Sequence, residues 1–130
     1  MSSKIEYVLD SAAVLALLRL EPGYQRVAEL LERSVISSVN LAETLNKLAQ
    51  KTPLKEARVL LLGMELRVED WSEEMAYLSA EFSKFNKSHG LSLGDRACLA
   101  LAKQLHATAV TSDGNWRRTP SLGVRIMLFR

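Results

Sequence analysis

The sequence predicts an α/β fold in which a short parallel β-sheet is flanked by helices on both faces (α/β/α). Short, predominantly apolar segments such as residues 5–9 and 107–111 alternate with longer segments of helical periodicity, which is typical of βαβ units. Strands that are buried on both faces carry such apolar runs, so the pattern favours parallel pairing. With 130 residues, 48% of them hydrophobic and 25% charged, the chain fits one domain over residues 1–130.

The first half of the chain predicts two strands and four helices. The apolar run 5–9 is the first strand, and residues 35–37 are the second. Apolar spacing of three and four residues predicts helices over residues 11–20, 24–33 and about 39–51. In the third of these, Leu41, Leu45 and Leu48 mark the expected core stripe. Thr52 is a suitable cap for a fourth helix, which Gly63 ends.

The second half of the chain continues the alternation. Residues 66–71 alternate between apolar and polar side chains and predict a strand, and a helix is expected from Ser72 to about residue 86. After a turn at residues 89–90, Ser92 begins a helix that runs to about residue 105. Residues 107–111 and 124–129 are the last two strands, and a polar loop separates them.

The composition indicates a protein without disulfides or membrane segments. Cys98 is the only cysteine and lies in an apolar run, so we expect a buried structural thiol and a reducing, cytoplasmic compartment. No apolar run approaches the roughly 18 residues of a transmembrane helix. The net charge of +2 identifies no partner, but a basic edge is possible at the C-terminal end, where Arg117, Arg118, Arg125 and Arg130 are concentrated.

Two aspartates follow predicted strands, and each has a purely structural alternative. Asp10 could cap the first helix, and Asp113 could be a turn residue in the sequence SDGN. Open α/β sheets, however, bind ligands outside the carboxyl ends of their strands, where the strand order reverses. We therefore expect these two carboxylates to converge on one point.

Two further acids lie on predicted helices. Glu43 is opposite the apolar stripe of the third helix, where an exposed pair with Lys47 would also explain it. Ser92 and Asp95 have the spacing of a capping box, which by itself accounts for the acid; an ionised cap can also bind a cation. A chain with four such carboxylates, two histidines and one cysteine excludes a thiolate or imidazole zinc site and indicates Mg²⁺ or Mn²⁺.

Four sequence blocks around these acids resemble the PIN-domain ribonucleases, specifically the VapC toxins of toxin–antitoxin pairs. The blocks are residues 7–18 (YVLDSAAVLALL), 36–43 (ISSVNLAE), 90–102 (GLSLGDRACLALA) and 110–116 (VTSDGNW). They occur in family order across nearly the whole chain. The resemblance implies a PIN domain that cleaves single-stranded RNA with Mg²⁺ or Mn²⁺, whose catalytic and metal-binding acids are Asp10, Glu43, Asp95 and Asp113.

The resemblance also implies supporting residues and partners. Ser11 and Thr111 fall on the small hydroxyl positions of the family near the metal. A cognate VapB-type antitoxin and homodimerisation are expected as well. Many relatives carry a further aspartate two residues after the fourth acid, where this chain has Asn115, so the number of charged ligands can differ.

Two surfaces are expected to serve these partners. Arg117 and Arg118 closely follow the fourth acid, and RNA phosphates attract guanidinium groups, so we expect both arginines to contact RNA. The antitoxin is expected to dock on a rim around Tyr24 and Glu43, on the second and third helices.

Other functions remain open at this point. A non-catalytic PIN-like domain could bind RNA or protein, but it would have no use for four acids. A housekeeping PIN nuclease would cut RNA without being a toxin. A phosphatase or receiver-type aspartate acceptor at Asp10 would favour a second acid two residues later, where Ala12 stands. RNA cleavage with and without Mn²⁺ separates the nuclease from the binding module and the acceptor.

Overall fold

The computed structural model describes residues 4–85, 90–117 and 123–130. Their strands form a five-stranded parallel sheet in the order β3-β2-β1-β4-β5. The strands are β1 (Tyr7–Leu9), β2 (Ser34–Ser37), β3 (Arg67–Glu69), β4 (Thr108–Thr111) and β5 (Ile126–Leu128). The predicted α/β class is confirmed, although most strands are shorter than the apolar runs that predicted them.

The helices connect these strands in the expected order. They are α1 (Ser11–Arg19), α2 (Tyr24–Leu30), α3 (Ser38–Leu48), α4 (Leu54–Gly63), α5 (Glu73–Ala80), α6 (Leu93–Leu105) and α7 (Gly114–Arg117), with 3₁₀ turns at Leu31–Arg33 and Glu81–Phe85. The short α7 lies where a polar loop was predicted. The helix predicted from Ser72 corresponds to α5 and changes to 3₁₀ geometry after Ala80. Its predicted end at residue 86 lies outside the described residues.

The sheet is covered on both faces because neighbouring strand residues point to opposite sides. Val8 and Ala109 face a core cluster with Cys98 and Leu99 of α6. The adjacent positions, among them Leu9, face the other cluster, which is built with α1 and α2. Cys98 is fully buried and its thiol donates to the carbonyl of Val8 (3.8 Å), which confirms the structural thiol.

Two helix details differ from the predictions. The buried residues of α3 are Asn40, Thr44 and Leu48, whereas Leu41 and Leu45 are only half-buried. The predicted stripe does pack on the core, since Leu48 is buried and Leu41 and Leu45 contact the apolar clusters, but the prediction missed that the polar side of α3 is also buried, against α6. Pro53 occupies the cap position of α4 without a side-chain hydrogen bond, so the predicted Thr52 cap is wrong.

A groove of about 510 Å³ lies between α3, α4 and β3. Its lining includes Leu45, Leu54, Leu62 and Val68, and the last three are exposed. No described helix combines the length and the apolar character that crossing a membrane requires.

Candidate active site

The order of the strands creates a crevice at the carboxyl ends of β1 and β4. From β1 the chain builds β2 and β3 on one side and β4 and β5 on the other, and ligands of open α/β sheets bind where the order reverses in this way. Asp10 directly follows β1, and its N–H donates to the carbonyl of Val110 in β4 (3.1 Å). The backbone thus places Asp10 at the mouth of this crevice.

Asp10 is a buried helix cap as well as a candidate ligand. Its Oδ1 accepts the N–H of Ala13 (2.9 Å) at the start of α1, and the side chain is 7% exposed. Burial raises the pKa of the Asp10 carboxyl from 3.8 to about 6. Hydrogen bonds from Thr111 and Ala13 oppose this rise, while the negative charges of Asp95 and Glu43 add to it. The cap alternative is therefore real, but it does not explain the neighbouring charges.

Asp95 forms the capping box that the sequence predicted for α6. Its N–H donates to Ser92 Oγ (3.1 Å), and its Oδ2 accepts the N–H of Ser92 (3.0 Å). Burial raises the pKa of Asp95, and the charge of Asp113 raises it further. The hydrogen bonds with Ser92 and the positive charge of Lys47 act in the opposite direction. Asp95 therefore caps the helix and also lies within electrostatic range of the other acids.

Glu43 is held between α3 and the first turn of α6. Asn40 Nδ2 donates to Glu43 Oε1 (3.0 Å) and to the carbonyl of Gly94 (3.0 Å). A Cβ atom on Gly94 would overlap the Glu43 carboxylate, so the carboxylate lies directly against the backbone of α6. Among the described ion pairs none joins Glu43 to Lys47, and the exposed-pair alternative is wrong.

Asp113 lies in the loop after β4, and the turn alternative also holds there. Its Oδ1 accepts the N–H of Asn115 (2.9 Å), and its own N–H donates to Thr111 Oγ1 (3.1 Å). Thr111 is buried and contacts Asp10 as well. Thr111 thus links the residues that follow β1 and β4. Ser11, the other hydroxyl of the prediction, is buried immediately after Asp10.

Electrostatic interactions connect the four carboxylates in pairs, Asp10 with Glu43, Asp10 with Asp95, and Asp95 with Asp113, but the acids do not form a ready-made chelate. No group of three or more acidic, histidine or cysteine side chains within the described parts of the chain is arranged to hold a metal ion. The donors still fit a hard cation in chemical type, because they are all oxygens. One further oxygen, Asn40 Oδ1, is buried beside Glu43 without a hydrogen-bond partner.

The three described arginines of the C-terminal end, Arg117, Arg125 and Arg130, do not form one basic edge. Arg117 ends α7 and is exposed near Asp113. Arg125, in contrast, lies at the end of the sheet where the strands begin, directly before β5, and donates to the carbonyl of His106 (2.9 Å). Arg130 contacts Pro22 and Glu21. Arg118, which was predicted to bind RNA with Arg117, lies outside the described residues.

Two residues of this site were missed by the sequence analysis. Asn40 precedes Glu43 by three residues, a spacing that places both on one helix face. Gly94 lies inside the first turn of a helix, where glycine is unfavourable and indicates close approach of another group. The spacing of Asn40 and Glu43 and the glycine in the first turn of α6 are both visible in the sequence, but neither shows that the two helices contact each other at these residues.

This geometry defines a class of protein: α/β proteins with an acidic, oxygen-rich crevice at the switch point of a parallel sheet. The chain belongs to the PIN-domain family, whose sequence profile matches residues 7–122. PIN domains are generally nucleases and generally use divalent metal ions. No curated protein sequence matches the chain.

Solved structures with the same fold come from several bacteria. The DNA-bound VapBC of Salmonella typhimurium has a TM-score of 0.76 and 18% identity, over 97% of this chain and 99% of that one. FitAcB of Neisseria gonorrhoeae has a TM-score of 0.68 and 25% identity, over 93% and 96%. A toxin–antitoxin complex of Klebsiella pneumoniae has a TM-score of 0.69 and 16% identity, over 96% and 98%.

Proposed function

We propose that the chain is a VapC-type toxin, a metal-dependent endoribonuclease that cleaves single-stranded RNA. Its proposed catalytic and metal-binding acids are Asp10, Glu43, Asp95 and Asp113. The observation that carries the proposal is the buried carboxylate of Asp10 at the switch point, whose pKa is raised to about 6 beside the charges of Asp95 and Glu43. Burial of Asp10, and to a smaller extent the charges of the half-buried Asp95 and Glu43, oppose its ionisation, and a cation bound among these carboxylates would offset both effects.

Mg²⁺ or Mn²⁺ is the proposed cation. Bound among these carboxylates, it would lower the pKa of a water molecule and offset the charge of the phosphodiester. The chain itself orients the acids: Ala13 N–H and the Thr111 hydroxyl hold Asp10, and Ser92 holds Asp95. Ser11 is proposed to support Asp10 as a neighbouring buried hydroxyl.

RNA is the proposed substrate, and Arg117 is its proposed contact in the described part of the chain. Arg117 lies one short helix after Asp113 and is exposed. Arg118 follows it in sequence and is proposed to act with it. A phosphate held by these guanidinium groups would bring the RNA backbone to the acids. Asn115 replaces an acid that many relatives have, and it lowers the negative charge that the RNA meets.

A cognate VapB-type antitoxin is the proposed partner, and a homodimer is the proposed assembly in the cytoplasm. Two of the similar structures described above are named as VapBC or as a toxin–antitoxin complex, which supports a partner for this chain. The rim around Tyr24 and Glu43 remains the proposed docking surface. A basic side chain of the antitoxin would be attracted to the acids and would compete with the metal.

RNA cleavage by the purified chain tests the proposal. Single-stranded RNA, double-stranded RNA and single-stranded DNA are incubated with the wild type and with Asp10→Asn, each with Mn²⁺ or with a chelator. Asp70→Asn is the matched control, because Asp70 is an exposed aspartate directly after β3, two strands from Asp10.

We expect cleavage of single-stranded RNA by the wild type and the Asp70→Asn control, only with metal, and none by Asp10→Asn. Binding of RNA without cleavage in any condition would instead establish the non-catalytic alternative. Cleavage by Asp10→Asn at the wild-type rate would exclude the proposed site.

A further inference from the structure

The side of α3 that faces α6 is polar where a core is usually apolar. Asn40 is 1% exposed and Thr44 is fully buried, and both lie on this side of the helix. The hydroxyl of Thr44 donates to the carbonyl of Asn40 within α3 (2.8 Å), so its bonding is local. The Asn40 amide instead donates one hydrogen bond to Glu43 in the next turn of α3 and a second one to the backbone of α6.

The orientation of the Asn40 amide follows from its neighbours. Both atoms that Nδ2 contacts, Glu43 Oε1 and the Gly94 carbonyl oxygen, are acceptors. Only the NH₂ group can satisfy them, and it has two hydrogens for two acceptors. Oδ1 is therefore directed away from both and remains buried without a partner. The amide therefore leaves one oxygen without a hydrogen bond, while its nitrogen bridges Glu43 and α6.

Gly94 makes this bridge possible by allowing close approach. A Cβ atom at this position would overlap the Glu43 carboxylate, so only glycine leaves room for it. Gly94 is the residue immediately before Asp95, whose side chain is fixed by Ser92. The position of the Glu43 carboxylate against Gly94 therefore also sets its position relative to Asp95.

We infer that Asn40 is a positioning residue, which holds the Glu43 carboxylate against the first turn of α6 and so sets the spacing of Glu43 and Asp95. The inference rests on the proposed function, because it assigns to Asn40 a role toward the proposed metal-binding acids. The buried, unpaired oxygen of Asn40 costs stability, and the two hydrogen bonds of its amide to Glu43 and Gly94 are what the side chain provides in exchange. Residues that orient metal ligands by hydrogen bonds commonly affect metal affinity or activity by about 10–100-fold.

Two substitutions of Asn40 test the inference against a matched control. Asn40→Asp keeps the shape but loses both donors and sets a charge against two acceptors, and Asn40→Ala removes the bridge. Thr44→Val is the control, since it removes a neighbouring buried hydroxyl whose bond stays within α3. The readouts are the Kd for Mn²⁺ by calorimetry, kcat and KM for RNA, and the melting temperature.

We expect Asn40→Ala to weaken Mn²⁺ binding and to lower kcat by about 10-fold or more, with KM for RNA nearly unchanged. Asn40→Asp is expected to be more severe. Thr44→Val should lower the melting temperature only. If the Asn40 variants melt earlier but keep the wild-type Kd and kcat at temperatures where they are folded, Asn40 is merely structural and the inference is wrong.

A substitution in the other helix gives a second check that leaves the Asn40 side chain itself unchanged. Gly94→Ala would displace the Glu43 carboxylate, and we expect the same weakening of Mn²⁺ binding as in Asn40→Ala. The double variant Asn40→Ala/Gly94→Ala should bind Mn²⁺ only slightly more weakly than either single variant, because each substitution alone already disrupts the same placement of the Glu43 carboxylate. Additive losses would contradict a shared role.

The Mn²⁺ measurement also separates this inference from the proposed function. Wild-type protein that binds Mn²⁺ but cleaves no RNA would overturn the proposed function, while the Kd values of the variants would still decide the role of Asn40. Wild-type protein that binds no Mn²⁺ would overturn both.

Discussion

The hydroxyl of Thr111 lies beside the carboxylate of Asp10 at the junction of β4 and β1 and favours its ionised form. The two residues meet because β1 and β4 are paired in register, with Leu9 opposite Val110, so the next residue of each strand lies at the same place. The interaction lowers the pKa of Asp10 against the larger effect of burial, which raises it. Thr111 therefore helps to keep Asp10 ionised, as a ligand of a cation must be.

Removal of this hydroxyl should make Asp10 harder to ionise. In Thr111→Val, which keeps the side-chain shape, we expect the pKa of Asp10 in the metal-free protein to rise above the value of about 6. Titration of the side-chain carboxyl carbon by NMR measures it directly. A pKa that stays at the wild-type value would show that the hydroxyl does not bond to Asp10 in solution.

Asp10 should make the metal-free protein less stable as the pH rises. Its pKa is about 6 when folded and 3.8 as a model value, so between these pH values the folded state binds more protons than the unfolded state. The free energy of unfolding then falls as the pH rises through this window, by about 3 kcal/mol in total. Asparagine still caps α1, so Asp10→Asn should abolish most of this slope and be more stable than the wild type at pH 7.

Urea unfolding at several pH values with a chelator present measures this effect. Asp70→Asn is the control and should follow the wild-type curve, since Asp70 is exposed. An Asp10→Asn variant that loses stability at pH 7 would mean that Asp10 serves the fold more than a site.

Asp95 should reveal both of its roles when two substitutions are compared. In Asp95→Asn the side-chain oxygen can still accept the N–H of Ser92, while one repelling charge disappears. We expect unchanged or raised stability without metal and a smaller rise of the melting temperature with Mn²⁺. Asp95→Ala should in addition lose up to about 1 kcal/mol of cap energy. A cap-only Asp95 would keep the full Mn²⁺ effect in both variants.

Arg117 should contribute to RNA binding in a salt-dependent way. Each phosphate contact that is lost lowers the slope of log K against log salt by about one, so Arg117→Ala should weaken RNA binding and flatten this slope. The Kd for Mn²⁺ should not change. Lys4→Ala is the control, because Lys4 is exposed before β1, at the opposite edge of the sheet. Equal slopes for the wild type and Arg117→Ala would show that Arg117 faces away from the RNA.

Expression in cells should separate a toxin from a housekeeping nuclease. We expect the wild-type chain alone to stop growth and Asp10→Asn to be harmless at the same protein level. Co-expression with a neighbouring antitoxin reading frame should restore growth and yield a complex that copurifies. Normal growth at high expression of a chain that cleaves RNA in vitro would favour the housekeeping alternative.

The sequence by itself determined the fold class and the order of the elements. Short apolar runs such as residues 5–9, in which only Glu6 is charged, favour burial on both faces, and helical periodicity between such runs leaves few arrangements other than a parallel sheet. It also selected Asp10 and Asp113, since residues that follow neighbouring parallel strands emerge at one edge of the sheet. These inferences need only the local pattern and the geometry of strands.

Only the tertiary structure decided that the polar side of α3 is buried as well, and what Glu43 contacts. The leucines of α3 predict the side that packs on the apolar clusters, but burial of the other side depends on the neighbouring element, which here is the backbone of α6 at Gly94. Asn40 and Gly94 are 54 residues apart, and no local pattern encodes a hydrogen bond over that separation. The bridge between α3 and α6 exists because packing of the two helices on the sheet leaves polar groups that must find partners.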